Sequence, residues 1–202
     1  MPPLTPANDL IRSRNVTASE VGALLGAHPY VTAGEVWDRL NGLRDGFSGP
    51  SLAMRFGSEA EPILRRLAID SLGVRVKMNS RTWEHSRVRL CATPDAFIIR
   101  EPSNPFAPGN VPSLLEFKLT FSQYRWQHGL PPDIEWQARA QMACTHRSRV
   151  IVYVFSGKEH VYVVDRHKGK ERAMTQAVER FWNEHMLTGI RPPDPVPAEV
   201  VV

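Results

Sequence analysis

The sequence predicts an α/β fold: a central mixed β-sheet flanked by helices and preceded by N-terminal helices. Three observations predict it. The first third carries apolar residues at helical spacing behind two capping boxes. The middle breaks into short β-rich runs separated by turn residues. The last third returns to a helix, two strands and a final helix. A chain of 202 residues is long enough for one domain with an ample core. That domain is expected over residues 1–190, with a proline-rich tail over 191–202.

Thr17-Ala18-Ser19-Glu20 has capping-box spacing and leads into Val21, Leu24 and Leu25 on one helix face, which Gly26 to Pro29 ends. A second box, Thr32 to Glu35, opens a helix with Val36, Trp37 and Leu40 inward and Gly42 at its end. Gly46 to Pro50 is expected as a loop. A third helix is expected from about Ser58 to Leu72, burying Ile63, Leu64, Leu67 and Ala68, with Pro62 in its first turn or kinking it. Strands are expected at Val74–Met78, Arg89–Cys91, Ala96–Ile99 and Leu114–Leu119. Glu101 to Pro112, with four prolines and two asparagines, forms a long hairpin loop. A helix from about Asp133 to Thr145 follows, then strands Val150–Phe155 and His160–Val164 around Ser156-Gly157. The last helix, about Lys170 to Leu187, turns Ala173, Ala177, Phe181 and Trp182 inward. From Arg191 to Val202 the tail is expected to be mobile or an interaction arm.

Composition is that of an ordinary globular protein, 42% hydrophobic and 23% charged. Lys and Arg total 25 against 21 Asp and Glu, a net charge of +4 that suits a polyanionic partner and equally suits a soluble basic protein with none. The two cysteines, Cys91 and Cys144, cannot make a structural zinc site or a cysteine-ligated iron–sulfur cluster alone and are expected as small buried hydrophobes. The seven histidines show no paired ligand spacing, which argues against a zinc hydrolase. No phosphate-binding loop of the Walker type and no G-x-S-x-G elbow is present. The N-terminus lacks the basic and apolar regions of a signal peptide, and no apolar run approaches the roughly 20 residues that cross a bilayer, so a cytoplasmic location is expected.

Chemistry concentrates in two stretches, Cys91-Ala92-Thr93-Pro94-Asp95 and Leu114-Leu115-Glu116-Phe117-Lys118-Leu119. Side chains alternate along a strand, so Glu116 and Lys118 share one face while Leu115, Phe117 and Leu119 enter a core on the other. Alone, Asp95 reads as a solvated turn residue and Glu116 with Lys118 as a surface ion pair of little energetic weight. Together, on strands expected side by side in the middle of the sheet, they form an ionic cluster too costly to bury unless it is paired or holds a metal. Two carboxylates holding a hard cation, with an ammonium to position or deprotonate a water, are what metal-dependent phosphodiester cleavage requires. Glu61 at the start of the third helix, and Gln137 and Gln141 one turn apart on the helix after the Glu–Lys strand, carry no distinctive signal by pattern. For Glu61, favourable charge at a helix N-terminus explains as much.

In order along most of the chain, these residues resemble the lambda-exonuclease, or YqaJ-like viral recombinase, family of the PD-(D/E)XK nucleases. Val16-Thr17-Ala18-Ser19-Glu20-Val21 is similar to its opening helix and Phe56-Gly57-Ser58-Glu59-Ala60-Glu61 to its G-x-x-x-E element. Thr93-Pro94-Asp95 resembles its [ST]-P-D motif, Leu115-Glu116-Phe117-Lys118 its L-E-x-K motif, and Trp136 to Met142 its Q-x-Q-x-x-M helix. The resemblance implies a restriction-endonuclease-like core in which Glu61, Asp95 and Glu116, with the Phe117 carbonyl, ligate Mg²⁺, for which Mn²⁺ substitutes. Lys118 would orient or activate the attacking water, and Gln137 would support that lysine or the scissile phosphate. Arg12 and Ser19 match positions that grip the 5′-phosphate of a DNA end. A serine hydroxyl near a helix N-terminus suits a phosphate, and local capping is the competing role. Arg139 departs from the family by standing where a second glutamine is common, and the Glu101 to Pro112 loop lengthens the interval from Asp95 to Glu116.

The function implied is a Mg²⁺-dependent 5′-to-3′ exonuclease acting on double-stranded DNA ends in phage-type recombination. A single-strand annealing protein is the implied partner and a ring-shaped homotrimer the implied assembly. The rivals are a structure- or site-specific endonuclease of the same fold and a non-catalytic DNA-binding recombination scaffold.

Overall fold

The computed structural model describes residues 5–43, 52–99, 113–120 and 122–194, with the side chains of 52–54 and 58 left aside. The expected loops at Gly46–Pro50 and Glu101–Pro112, and the tail beyond Asp194, lie outside the described residues. In chain order the elements are α1 (Pro6–Ser13), β1 (Val16–Thr17), a 3-10 turn (Ala18–Glu20), α2 (Val21–Leu24), α3 (Ala33–Leu40), α4 (Leu52–Leu72), β2 (Arg75–Met78), β3 (Trp83–Glu84), β4 (Leu90–Ala92), β5 (Ala96–Ile99), β6 (Ser113–Leu119), a 3-10 turn (Tyr124–Trp126), α5 (Pro132–Thr145), β7 (Arg149–Phe155), β8 (Glu159–Asp165), α6 (Lys168–Phe181) and a π turn (Trp182–Met186).

A five-stranded sheet runs in the order β2-β5-β6-β7-β8, and a three-stranded sheet in the order β1-β4-β3. β6 is the middle strand of the larger sheet, antiparallel to β5 and parallel to β7, with α5 as the crossover between β6 and β7. The sheet is therefore mixed, as expected. One face packs on α4 through Leu115, Phe117, Ile151 and Tyr153 against Leu64, Ala68 and Leu72. The other packs on α5 through Leu114, Val150, Val152 and Val154 against Ala138 and Met142. Beyond α5 lies a third cluster, where Ala140, Ala143 and Cys144 meet Val16, Val21, Val36, Leu90, Met174 and Phe181. α5 is thus covered on both sides, which is why Ala138 to Thr145 are all buried.

Both capping boxes form. Glu20 Oε2 accepts from the Thr17 N–H and hydroxyl at 2.9 Å each, and Glu35 Oε2 accepts from the Thr32 N–H at 2.8 Å. The third helix departs from expectation. It begins at Leu52, so Pro62 lies in its interior, and Ile63 and Leu67 are exposed while Leu72 joins the buried stripe. The helix rests on the sheet along the Leu64–Ala68–Leu72 ridge, and side chains one position earlier fall off it. Ala173 is likewise exposed, its expected place taken by Met174 and Val178. α1, β1 and β3 were not expected, being too short for a periodic signal. The thiols of Cys91 and Cys144 are free and buried, and burial raises both, that of Cys91 to about 11. At the C-terminal end Arg191 is tied to α3, its Nε donating to Asp38 Oδ1 at 2.9 Å, and the Thr32 hydroxyl donates to Asp194. No helix of the described residues is long and apolar enough to cross a membrane.

Leu115 is fully buried between β5, β7 and α4. Leu115→Ala should cost about 2–5 kcal/mol, read as a lowered urea midpoint at unchanged slope. A loss under about 1 kcal/mol would mean this face of the sheet is not the packed core described.

Candidate active site

Ala96 of β5 pairs with Leu115 of β6, so the next residue outward on each strand brings Asp95 beside Glu116. The Thr93-Pro94-Asp95 turn is pinned by Asn79, whose Nδ2 donates to the Pro94 carbonyl at 2.8 Å and whose backbone N–H donates to that of Asp95 at 3.0 Å. Asp95 Oδ2 accepts the Phe117 N–H at 2.8 Å, which fixes its carboxylate against β6. Phe117 itself turns its ring to the α4 side, as period two requires.

Glu116 is 4% exposed and carries the densest set of contacts. Its Oε1 lies 2.8 Å from Lys118 Nζ and accepts from Gln137 Nε2 at 2.7 Å. Lys118 Nζ also donates to Gln137 Oε1 at 3.0 Å, closing a three-membered ring of contacts. Its Oε2 accepts from Gln141 Nε2 at 2.7 Å. Gln141 is 1% exposed and its Oε1 has no hydrogen-bond partner. Because Nε2 faces a carboxylate, the amide cannot be turned over to satisfy that oxygen.

A cavity of about 540 Å³ gathers every residue expected at the site: Arg12, Ser19, Glu61, Asp95, Glu116, Phe117, Lys118 and Gln137 all line it. Gln141, Thr17 and Thr93 line it too. Gln141 was the residue sequence reasoning passed over, and its only signal was the one-turn spacing from Gln137. Arg139, the departure on the same helix, points elsewhere. It is bound to Glu135 at 2.6 Å and to the Asp165 carbonyl at 3.2 Å, so it braces α5 toward β8 and does not enter the cavity. Ser19 is not the helix cap; that position belongs to Thr17, and the Ser19 hydroxyl lies exposed, 3.1 Å from Thr17 Oγ1. Arg12 sits on the ordered helix α1, and among the described residues its guanidinium has no carboxylate partner.

Burial, reinforced by the Glu116 charge and to a lesser degree by Glu61, pushes the Asp95 carboxyl well above the ordinary carboxylate range, against the pull of Lys118 and the Phe117 N–H. Burial works to lower Lys118, but Glu116 and Asp95 outweigh it and hold the ammonium above its ordinary value. One cation therefore faces more carboxylate than it neutralises. Among the described residues no three Asp, Glu, His or Cys side chains close into a ready-made metal cage. Glu116 is drawn back by its two glutamines and Lys118, and Glu61 stands on a separate helix. The donor chemistry nonetheless fits a hard divalent cation, for it is all oxygen and two of its carboxylates are crowded where they cannot both ionise freely.

A family model for the YqaJ-like viral recombinase domain matches residues 9–148. A search of curated proteins finds no match. Among solved structures the fold is similar to an alkaline exonuclease (LHK-Exo) from Laribacter hongkongensis, at 20% identity over 92% of this chain and 94% of that one with a TM-score of 0.69. The same enzyme in complex with dAMP gives 21% identity, equal coverage and a TM-score of 0.69. A phage related exonuclease from Haemophilus somnus 129PT matches at 12% identity over 91% and 99% of the two chains, TM-score 0.55. At these identities the structures establish a shared fold, that of the PD-(D/E)XK nucleases.

The raised Asp95 carboxyl has a testable sign. A group whose folded pKa exceeds its unfolded value, about 3.9 for Asp, costs stability as pH rises from the unfolded value through the folded one. Above that window the metal-free protein carries the full penalty. Asp95→Asn keeps an acceptor for the Phe117 N–H and removes the charge. Its metal-free melting temperature at pH 8 should exceed that of the wild type by roughly 2–4 °C per kcal/mol relieved, an advantage that vanishes near pH 4. A variant melting below the wild type at pH 8 would refute the crowding.

Proposed function

Since the chain belongs to the YqaJ-like viral recombinase family, we propose that it is a metal-dependent deoxyribonuclease, a 5′-to-3′ exonuclease that resects duplex DNA ends. The observation that carries this is the convergence of Asp95, Glu116 and Lys118, with Glu61 and Gln137, in the cavity that also holds Arg12 and Ser19. The alkaline exonucleases of the same fold support it, as activities of those proteins. The single domain over residues 1–190 with a tail at 191–202, a ring-shaped homotrimer, an annealing-protein partner and a cytoplasmic setting belong to the same proposal.

Glu61, Asp95, Glu116 and the Phe117 carbonyl would hold Mg²⁺, or Mn²⁺ in its place. A divalent ion there supplies charge for the attacking and leaving oxygens of an in-line displacement. The remaining work falls to side chains already in position. Lys118 Nζ, on the strand face of Glu116, directs N–H groups at a water and holds it for attack on phosphorus. Gln137 Oε1 keeps that ammonium aimed, while its Nε2 and that of Gln141 keep Glu116 in one rotamer and ionised. Arg12 and the Ser19 hydroxyl would take the 5′-phosphate at the rim.

Digestion of linear duplex DNA with Mg²⁺ or Mn²⁺ tests the proposal. The 5′-phosphorylated linear form should be lost fastest, the 5′-hydroxyl form more slowly, and covalently closed circles should survive. Cut circles would establish the endonuclease instead, and no cleavage with either ion would favour the scaffold. Glu116→Ala and Lys118→Ala should abolish cleavage while sparing DNA binding, and unchanged cleavage in either sinks the assignment. Gln141→Leu should lower turnover or metal affinity roughly 10–100-fold at near-normal DNA affinity, as loss of a ligand-orienting partner does. Wild-type turnover and metal affinity in that variant would leave Gln141 a packing residue only.

A further inference from the structure

Two tyrosines stand on the surface beside the cavity with their rings in water: Tyr30 is 70% exposed and Tyr124 is 74%. Each follows an element that builds the site. Tyr30 lies in the turn after α2, the helix that begins just past Ser19, and Tyr124 opens the 3-10 turn that follows the Lys118 strand. Arg125 joins them. Its Cζ lies 5.4 Å from the centroid of the Tyr30 ring, and its Nη2 donates to Asp133 Oδ1 at 2.6 Å. Asp133, 6% exposed in the first turn of α5, also favours the charged form of Lys118. One buried carboxylate therefore ties Arg125 to the lysine of the cavity.

The group is held in place without being covered. The N–H groups of Tyr30 and Val31 both donate to His28 Nδ1, at 3.1 and 2.9 Å, which fixes the turn, and the His28 ring meets that of Tyr30 edge-on at 6.3 Å. His128 meets the Tyr124 ring edge-on at 6.2 Å. Its one carboxylate, Asp133, is buried and engaged. Open aromatic faces beside a guanidinium plane, with no exposed acid among them, match the π-face of a nucleobase.

We propose that Tyr30, Arg125 and Tyr124 form a nucleobase-stacking platform that receives unpaired bases at the end of a DNA substrate. This rests on the nuclease reading and deepens it. A base offers its face only when it has left the duplex stack, so the platform makes end-melting part of substrate recognition. The bases stack on the rings while the adjoining phosphate lies in the cavity, and every base has such a face, so binding there is indifferent to sequence.

The test is equilibrium binding of 5′-phosphorylated duplexes to the full chain, with Ca²⁺ replacing Mg²⁺ to hold off cleavage. Ends carry either 2-aminopurine or abasic sites at the terminal nucleotides. The wild type should quench 2-aminopurine on binding and should bind abasic ends roughly fivefold or more weakly than intact ones. Tyr30→Ala and Tyr124→Ala should each weaken intact ends by a similar factor and leave abasic ends unaffected, while the Phe variants bind as wild type. Both side chains are mostly exposed, and unchanged melting temperatures will show that the variants fold. Equal affinity of the wild type for intact and abasic ends, or Phe variants as weak as Ala, overturns the platform and leaves the nuclease reading standing. A wild type that binds no DNA end at all overturns both.

Discussion

A carboxylate placed in the middle strand of a sheet, at 4% exposure, is the constraint on which the surrounding structure depends. An ion taken out of water costs several kcal/mol unless its lone pairs are answered. β6 cannot answer them itself, because its backbone groups are committed to β5 and β7. The donors must come from the face above, and α5 supplies them from residues one turn apart, Gln137 to one oxygen and Gln141 to the other. Lys118 adds the charge from the same strand face.

That requirement propagates outward. A helix presenting two glutamines to the sheet must be held at a fixed height and rotation, or the hydrogen bonds open. α5 is fixed by burial on both sides: Ala138 and Met142 on the sheet, Ala140, Ala143 and Cys144 against the outer layer. Small residues on the outer side let β4, α2 and α6 approach closely. Arg139 and Lys170, both bound to Glu135, then lock α5 to α6. The N-terminal segment and α6 thus act as a clamp on the helix that orients Glu116, and the N-terminal segment also delivers Arg12 and Ser19 to the cavity.

Much of this was legible in the chain because it is local. The alternation in Leu114 to Leu119 assigned Glu116 and Lys118 to one face, and the two capping boxes located the starts of helices that do form there. The elements missed are those held by tertiary contact alone. β1 and β3 are two residues each and exist only because β4 lies between them. The burial of Ile63 and Leu67 was misjudged because a helix pattern gives a stripe about 100° wide, and the sheet selects one edge of it. Gln141 looked like an exposed helix glutamine for the opposite reason. Nothing in the sequence says that α5 is covered on every side, and only that cover turns an ordinary amide into a buried partner of Glu116.

The distribution of charge around the cavity separates floor from rim. Asp95, Glu116 and Glu61 put negative charge on the floor, answered in part by Lys118, while Arg12 stands among the lining residues without a carboxylate of its own. A phosphodiester would be drawn to the rim by its charge and turned away from the floor by the same charge. A divalent cation reverses the sign of the floor, so it is needed for the scissile phosphate to enter before it is needed for chemistry. The same ion relieves the crowding that holds Asp95 protonated, and binding only the folded state it stabilises the protein by mass action. Grip, entry and fold stability then depend on one ionic balance, set by a middle strand that carries its carboxylate inward.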